Sequence, residues 1–131
     1  MDLGFSRKSV VITGGASNIG RAISLGFARE GANITIAEID LKQAETVAEE
    51  ARTAGAGSVQ IVSCDVTDIV QVEALFAAAN TAHGAVDVLV NNVGWDDLMF
   101  FTQTTPELWQ KIIQVNFVGV LNCTRTALTE M

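Results

Sequence analysis

"VVITGGASNIGRA", Val10 to Ala22, is an apolar run that breaks at Thr13 into two glycines, crosses a few small residues to a third, and then turns amphipathic. The pattern reads as a strand feeding a helix through nearly bare backbone. Gly14 and Gly15 admit backbone shapes closed to other residues and let a ligand approach the main chain. Gly20 opens the helix and lets it pack tightly on the sheet. The free amides near Ile19 form the positive end of that helix, a ready site for a pyrophosphate. A GxxxxGK[ST] phosphate loop is excluded. Gly15 and Gly20 have its spacing, but Arg21 replaces the lysine and Ala22 the hydroxyl that would hold magnesium.

Three further valine- and isoleucine-rich runs follow: Asn33–Glu38, Ser58–Cys64 and Val86–Asn91, after the first at Ser9–Thr13. They lack strict polar alternation, as strands covered on both faces do. Helical stripes lie between them. Ile19, Ala22, Ile23, Gly26 and Phe27 make the first, Ala44, Val47, Ala48 and Ala51 the second, and Val72, Leu75, Phe76 and Ala79 the third. Gly31, Gly55 and Gly84 suit left-handed helix ends, Asp40, Asp68 and Thr105 suit N-caps, and Pro106 suits a first helical position. The spacing predicts a last helix from about Pro106 to the end. The β-α-β-α-β-α-β-α order predicts an α/β fold, a Rossmann-like doubly wound parallel sheet with right-handed crossovers. No linker, repeat or low-complexity tract divides residues 1–131, so one domain is expected.

In such a sheet ligands collect beyond the carboxyl ends of the strands. Glu38 ends the second strand, where a dinucleotide fold places an acid for the ribose hydroxyls. A 2′-phosphate there would meet like charge, and neither Ser17 nor Ile39 compensates it. NAD is therefore favoured over NADP.

Composition narrows the partners. The chain has 131 residues, is 49% hydrophobic and carries a net charge of −7, which disfavours nucleic acid. No run approaches the roughly 18 apolar residues of a membrane helix, and no cleavable signal pattern opens the chain. Cys64 and Cys123 lack CxxC spacing and read as buried thiols in a reducing compartment, with no disulfide framework and no metal site. A soluble cytoplasmic protein is expected. His83, just before Gly84, reads as a helix-end histidine.

Four motifs in this order resemble the short-chain dehydrogenase/reductase family across essentially the whole chain. "TGGASNIG" (Thr13–Gly20) is similar to its TGxxxGxG loop and "CDVTD" (Cys64–Asp68) to its third-strand signature. "NNVG" (Asn91–Gly94) is similar to NNAG, and "VNFVG" (Val115–Gly119) to the segment with the active-site asparagine, here Asn116. The resemblance implies cofactor contacts from Gly14, Ser17, Asn18, Ile19, Gly20, Glu38, Asp65, Val66, Asn92, Val93 and Gly94, with Asp65 and Val66 at the adenine. Asn91 is expected to be mostly structural. Asn18 stands where the family has its middle glycine, and asparagine tolerates the left-handed backbone expected there. Val93 replaces the alanine of NNAG, adding bulk near the nicotinamide ribose.

The family's chemistry is a relay of Asn, Ser, Tyr and Lys, in which Asn116 would anchor a water, the serine would hold the substrate oxygen, and tyrosine would move the proton. This sequence contains no tyrosine. The expectation is the amino-terminal part of an NAD-dependent oxidoreductase that interconverts a secondary alcohol and a ketone, truncated before its Ser/Tyr-x-x-x-Lys half and inactive alone. The fourth strand would then be a bare apolar edge. The alternatives are a nucleotide-binding module without chemistry and an oligomer-interaction stub. Trp95 and Asp96, in "GWDDLMFF", are placed to wall a pocket for a small-molecule alcohol or ketone, and Gly-Trp-Asp resembles members acting on cyclic hydroxyacyl-CoA substrates. The family's helix-bundle interface implies a homo-oligomer, a dimer or tetramer, when intact.

Overall fold

A computed structural model describes residues 3–129 and 131. Its four strands are β1 (Ser9–Thr13), β2 (Asn33–Glu38), β3 (Ser58–Ser63) and β4 (Val88–Asn91). They form one parallel sheet of order β3-β2-β1-β4. β1 pairs with β2 from Ser9↔Asn33 to Thr13↔Ala37, and with β4 from Val10↔Val88 to Thr13↔Asn91. Helices α1 (Asn18–Arg29), α2 (Leu41–Ala54) and α3 (Ile69–His83) connect them, and α4 (Pro106–Ile113) and α5 (Gly119–Leu128) follow. The first two connections move the sheet one way from β1. The third carries the chain back across to the other side of β1, so the strand order reverses between the tips of β1 and β4. That reversal opens the crevice in which such sheets bind ligands.

Alternation along β1 builds two cores. Val10 and Ile12 face α1 and α2 with Ile34, Ile36, Val47 and Ala51, while Val11 faces α3 and α5 with Val72, Leu75, Phe76 and Cys123. The α2 and α3 stripes are buried as their spacing predicts, and Gly31, Gly55 and Gly84 adopt positive φ. All three expected N-caps form: Asp40 accepts from the Gln43 amide, Asp68 from Val70 and Thr105 from Leu108. Each such cap is worth about 1 kcal/mol.

The α1 stripe differs from the sequence expectation. Its buried face is Gly20, Ser24, Leu25 and Ala28, whereas Ile19 is 70% exposed and Ala22 and Gly26 are exposed. Close approach to the sheet decides this orientation. Small residues spaced by four let the helix sit low, and the Ser24 hydroxyl donates to the Gly15 carbonyl at 2.8 Å. Ile23 and Phe27 remain at the flank, where Phe27 meets Phe5 edge to face at 5.1 Å. Two strand ends also move. β3 stops at Ser63, one residue before Cys64, and β4 begins at Val88, because Asp87 at its foot holds the Ser9 amide (2.8 Å) and Lys8 (2.9 Å).

The last helix is not one regular rod to the end. A π-helical turn, Gln114–Val118, separates α4 from α5, and α5 stops at Leu128; Glu130 lies outside the described residues. The wider turn lets Gly119 and Cys123 face the core while Asn116 turns to the loop after β4. β4 stands at a sheet edge with Val88, Leu89 and Val90 half-buried.

A polar cluster sits under α3. Gln60 donates to the Thr35 hydroxyl at 2.9 Å, and the His83 ring lies 3.4 Å from Thr35 Oγ1 and 3.3 Å from Ser58 Oγ. Burial lowers the His83 pKa below the usual imidazole value. The folded state therefore binds this proton less readily than the unfolded chain does. Its contribution is complete above the unfolded value and is lost as pH falls through the folded one. Denaturant titrations between pH 7 and 5 should show stability dropping on acidification, with a shallower drop in His83→Gln. Parallel curves for the two proteins would refute this.

Candidate functional site

The loop after β1 and the loop after β4 meet at the reversal point, and one residue of β1 ties them together. Buried Thr13 accepts the amides of Asn92 (3.1 Å) and Val93 (3.3 Å) through Oγ1 and donates to the Val90 carbonyl (3.4 Å). The Asn92 carboxamide then donates to the Gly14 carbonyl at 2.9 Å and reaches Ser17 Oγ at 3.3 Å. Ser17 precedes α1 but does not cap it with its side chain; its hydroxyl donates to the Gly14 carbonyl at 2.8 Å. The first-turn amides of α1 are thus left for an external acceptor.

Gly14, at φ +62, makes the turn that brings these groups together. A Cβ at Gly20 would collide with the Gly14 carbonyl and come within 2.7 Å of Asn92 Nδ2. The expected left-handed backbone at Asn18 is not found. Among the described residues Arg7 is the only non-glycine with positive φ, and Asn18 is simply the first residue of α1. The helix begins two residues before the loop's last glycine, so position 18 needs no special conformation.

Between the two loops lies a cleft of about 420 Å³. It gathers nine of the expected residues: Gly14, Ser17, Glu38, Asp65, Val66, Asn92, Val93, Gly94 and Trp95. Glu38 is fixed across its mouth. One carboxylate oxygen accepts the Ala16 amide at 3.3 Å and the other accepts the Ile39 amide at 3.0 Å, which ties the tip of β2 to the glycine loop. Asp65 accepts both the amide (2.9 Å) and the hydroxyl (2.8 Å) of Thr67. Cys64, in the wall, has its thiol pushed up to about 11 by burial and by the nearby Asp65 and Asp68 carboxylates.

Asn18, Ile19 and Gly20 form the first turn of α1 beside the cleft and are not among its lining. Asp96 and Asn116 line an adjoining open depression with Gly94, Trp95 and Ile112. Asn116 grips the backbone of Trp95: its Oδ1 accepts the Trp95 amide at 2.9 Å, and its Nδ2 donates to the Trp95 carbonyl at 2.6 Å and to Ile112 at 3.0 Å. Asn91 points away and donates to Thr124 Oγ1 at 3.1 Å.

Two site residues escape a reading of the sequence. Thr13 looks like the last residue of a strand, and its triple role is visible only once β4 is beside it. Lys111 lies on α4, outside every motif, yet lines the cleft with its ammonium 3.7 Å from the Trp95 ring centroid.

Comparison with known proteins agrees with this architecture. The short chain dehydrogenase family model matches residues 8–131. "Short chain dehydrogenase/reductase dpmpG" of Macrophomina phaseolina is 34% identical over 125 residues, 95% of this chain and 71% of that protein. "D-xylose 1-dehydrogenase" of Caulobacter vibrioides is 38% identical over 125 residues, 95% of this chain and 48% of that one. The chain spans only 19% of "Uncharacterized oxidoreductase YuxG" of Bacillus subtilis, at 35% identity. The crystal structure of a short-chain type dehydrogenase/reductase from Mycobacterium marinum superposes with a TM-score of 0.91 at 27% identity, covering 96% of this chain and 51% of that one.

Proposed function

The chain belongs to the short-chain dehydrogenase family, and from that premise we propose that it is the NAD-binding part of an oxidoreductase that interconverts a secondary alcohol and a ketone by hydride transfer. Glu38 carries the cofactor assignment. Its carboxylate is held at the cleft mouth by two backbone amides, where it would accept the hydroxyls of an adenosine ribose. The cleft fits a dinucleotide in other respects: close-packed glycine backbone, unengaged first-turn amides of α1, and a wall that carries Ile39, Asp65 and Val66 on the side where the adenine would lie.

When bound, a nicotinamide dinucleotide supplies the hydride acceptor or donor. The protein's own groups bind and orient it. Ser17, Asn18, Ile19 and Gly20 receive the diphosphate, Val93 and Gly94 border the nicotinamide ribose, and Asn92 braces the loop at Gly14. Asn116 keeps Trp95 and Asp96 in place as the wall of the substrate side. A 2′-phosphate is disfavoured because no arginine is among the described residues that line the cleft, and Arg21, which follows the glycine loop, is engaged by Glu50 through two hydrogen bonds of 2.7 and 3.0 Å.

Replacing Glu38 with alanine should weaken NADH about tenfold, the loss of one charge-assisted hydrogen-bond pair, and leave NADPH unchanged or tighter. Titration of nicotinamide fluorescence measures both. An unaltered ratio of the two affinities would defeat the assignment of NAD.

The exposed apolar residues Trp109, Ile113, Phe117 and Leu121, spaced by four from α4 through the π turn into α5, support a homo-oligomer, a dimer or tetramer. The buried thiols of Cys64 and Cys123, the latter pushed up to about 12, suit a reducing cytoplasm. The absence of tyrosine from these residues favours one second reading, a nucleotide-binding module without chemistry. Dinucleotide affinity without turnover in the intact polypeptide distinguishes it.

A further inference from the structure

Three charged side chains line the cleft: Glu38, Asp65 and Lys111. The two carboxylates are committed to neighbouring amides and to Thr67. Lys111 is not so committed. Among the described residues the ion pairs are Lys8–Asp87, Arg21–Glu50 and Arg52–Glu49, and Lys111 belongs to none of them. Its ammonium rests on the indole of Trp95, whose backbone Asn116 clamps from both sides. Lys111 and Asn116 stand on consecutive turns of the same helical segment. Together they hold the indole at the rim, and the indole holds the ammonium at a cleft shared with Gly14 and Ser17.

We propose that Lys111 is a nucleotide-binding residue whose ammonium leaves the Trp95 face to pair with a phosphate oxygen of the dinucleotide. The inference rests on the dinucleotide reading above and adds a residue to it. Electrostatics motivate the exchange. A diphosphate entering this cleft meets two carboxylates in a chain of net charge −7, and Lys111 is the one side-chain cation among the described residues that line it. A cation–π contact at an exposed rim is weaker than a charge-assisted hydrogen bond to phosphate, so the ligand outcompetes the indole. The flexible four-carbon stem of lysine allows the move without backbone change.

The test compares adenosine, AMP and ADP-ribose as calorimetric ligands of the wild type, Lys111→Gln and Lys111→Arg, each at low and high salt. Lys111→Gln should bind ADP-ribose about tenfold more weakly and with a flatter salt dependence, keep its adenosine affinity, and be rescued by Lys111→Arg. AMP tells which phosphate is met: a loss shared by AMP and ADP-ribose marks the adenosine-proximal one, and a loss confined to ADP-ribose the distal one. Unchanged ADP-ribose binding in Lys111→Gln would overturn the proposal while leaving the Glu38 reading intact. An equal loss for adenosine would overturn it too, since that marks damage to the cleft wall. If the wild type binds no ADP-ribose at all, the dinucleotide reading itself fails and takes this inference with it.

Discussion

Gly20→Ala should abolish most of the nucleotide affinity, with a loss of about 2–3 kcal/mol, or roughly 30- to 150-fold. The added methyl has no room. It would meet the Gly14 carbonyl and Asn92 Nδ2, backbone and braced side chain that cannot yield without opening the loop. Lifting the first turn of α1 off the loop moves the amides proposed to receive the diphosphate, so binding should suffer more than folding. Gly26, on the exposed face of the same helix, is the matched control, because a methyl added there would meet nothing within 4 Å. Gly26→Ala should leave affinity alone and raise stability by about 0.5–1 kcal/mol. Calorimetry with ADP-ribose and thermal melts separate the two effects. If Gly20→Ala binds as the wild type does, the glycine loop is not where the diphosphate lies.

Thr13→Val should cost roughly 2–4 kcal/mol of stability despite nearly conserving volume. The valine cannot accept the amides of Asn92 and Val93, which bond to buried Thr13 in a partly buried setting that limits replacement by water, so each unpaired group costs about 1–3 kcal/mol. Thr13→Ser, which keeps the oxygen, should lose much less. Denaturant midpoints of the three proteins give the comparison, and equal midpoints for valine and serine would show that the hydroxyl does not tie the loops. Nucleotide affinity should fall with the valine variant as well, because Asn92 positions Gly14 from the loop that Thr13 secures.

Much of the fold is legible in the sequence because its signals are local. Four apolar runs, three capping residues and three terminal glycines each report the backbone state of their own neighbourhood, and the element order then restricts the sheet to very few topologies. The α1 stripe misleads for a related reason. Hydrophobicity marks Ile19 and Ala22, but the face that meets the sheet is chosen by smallness, and Gly20, Ser24 and Ala28 carry little apolar signal. The π turn at Gln114–Val118 is also hidden, since the weak helix formers of "QVNFV" lower helix propensity without specifying a wider turn. The cleft follows its motifs, which supply nine of its residues. Lys111 is invisible because its place depends on Trp95, sixteen positions away, being clamped by a third residue.

The widened turn between α4 and α5 acts as a phase shifter. One continuous rod would lock the angular setting of its two ends, so any residue aimed at the crevice would dictate which residues meet the sheet. A single inserted step uncouples them: the leading half can be re-indexed to suit a new ligand while the trailing half keeps Gly119 against Val66 and Cys123 in the interior. Recognition can diversify on this scaffold without renegotiating its packing.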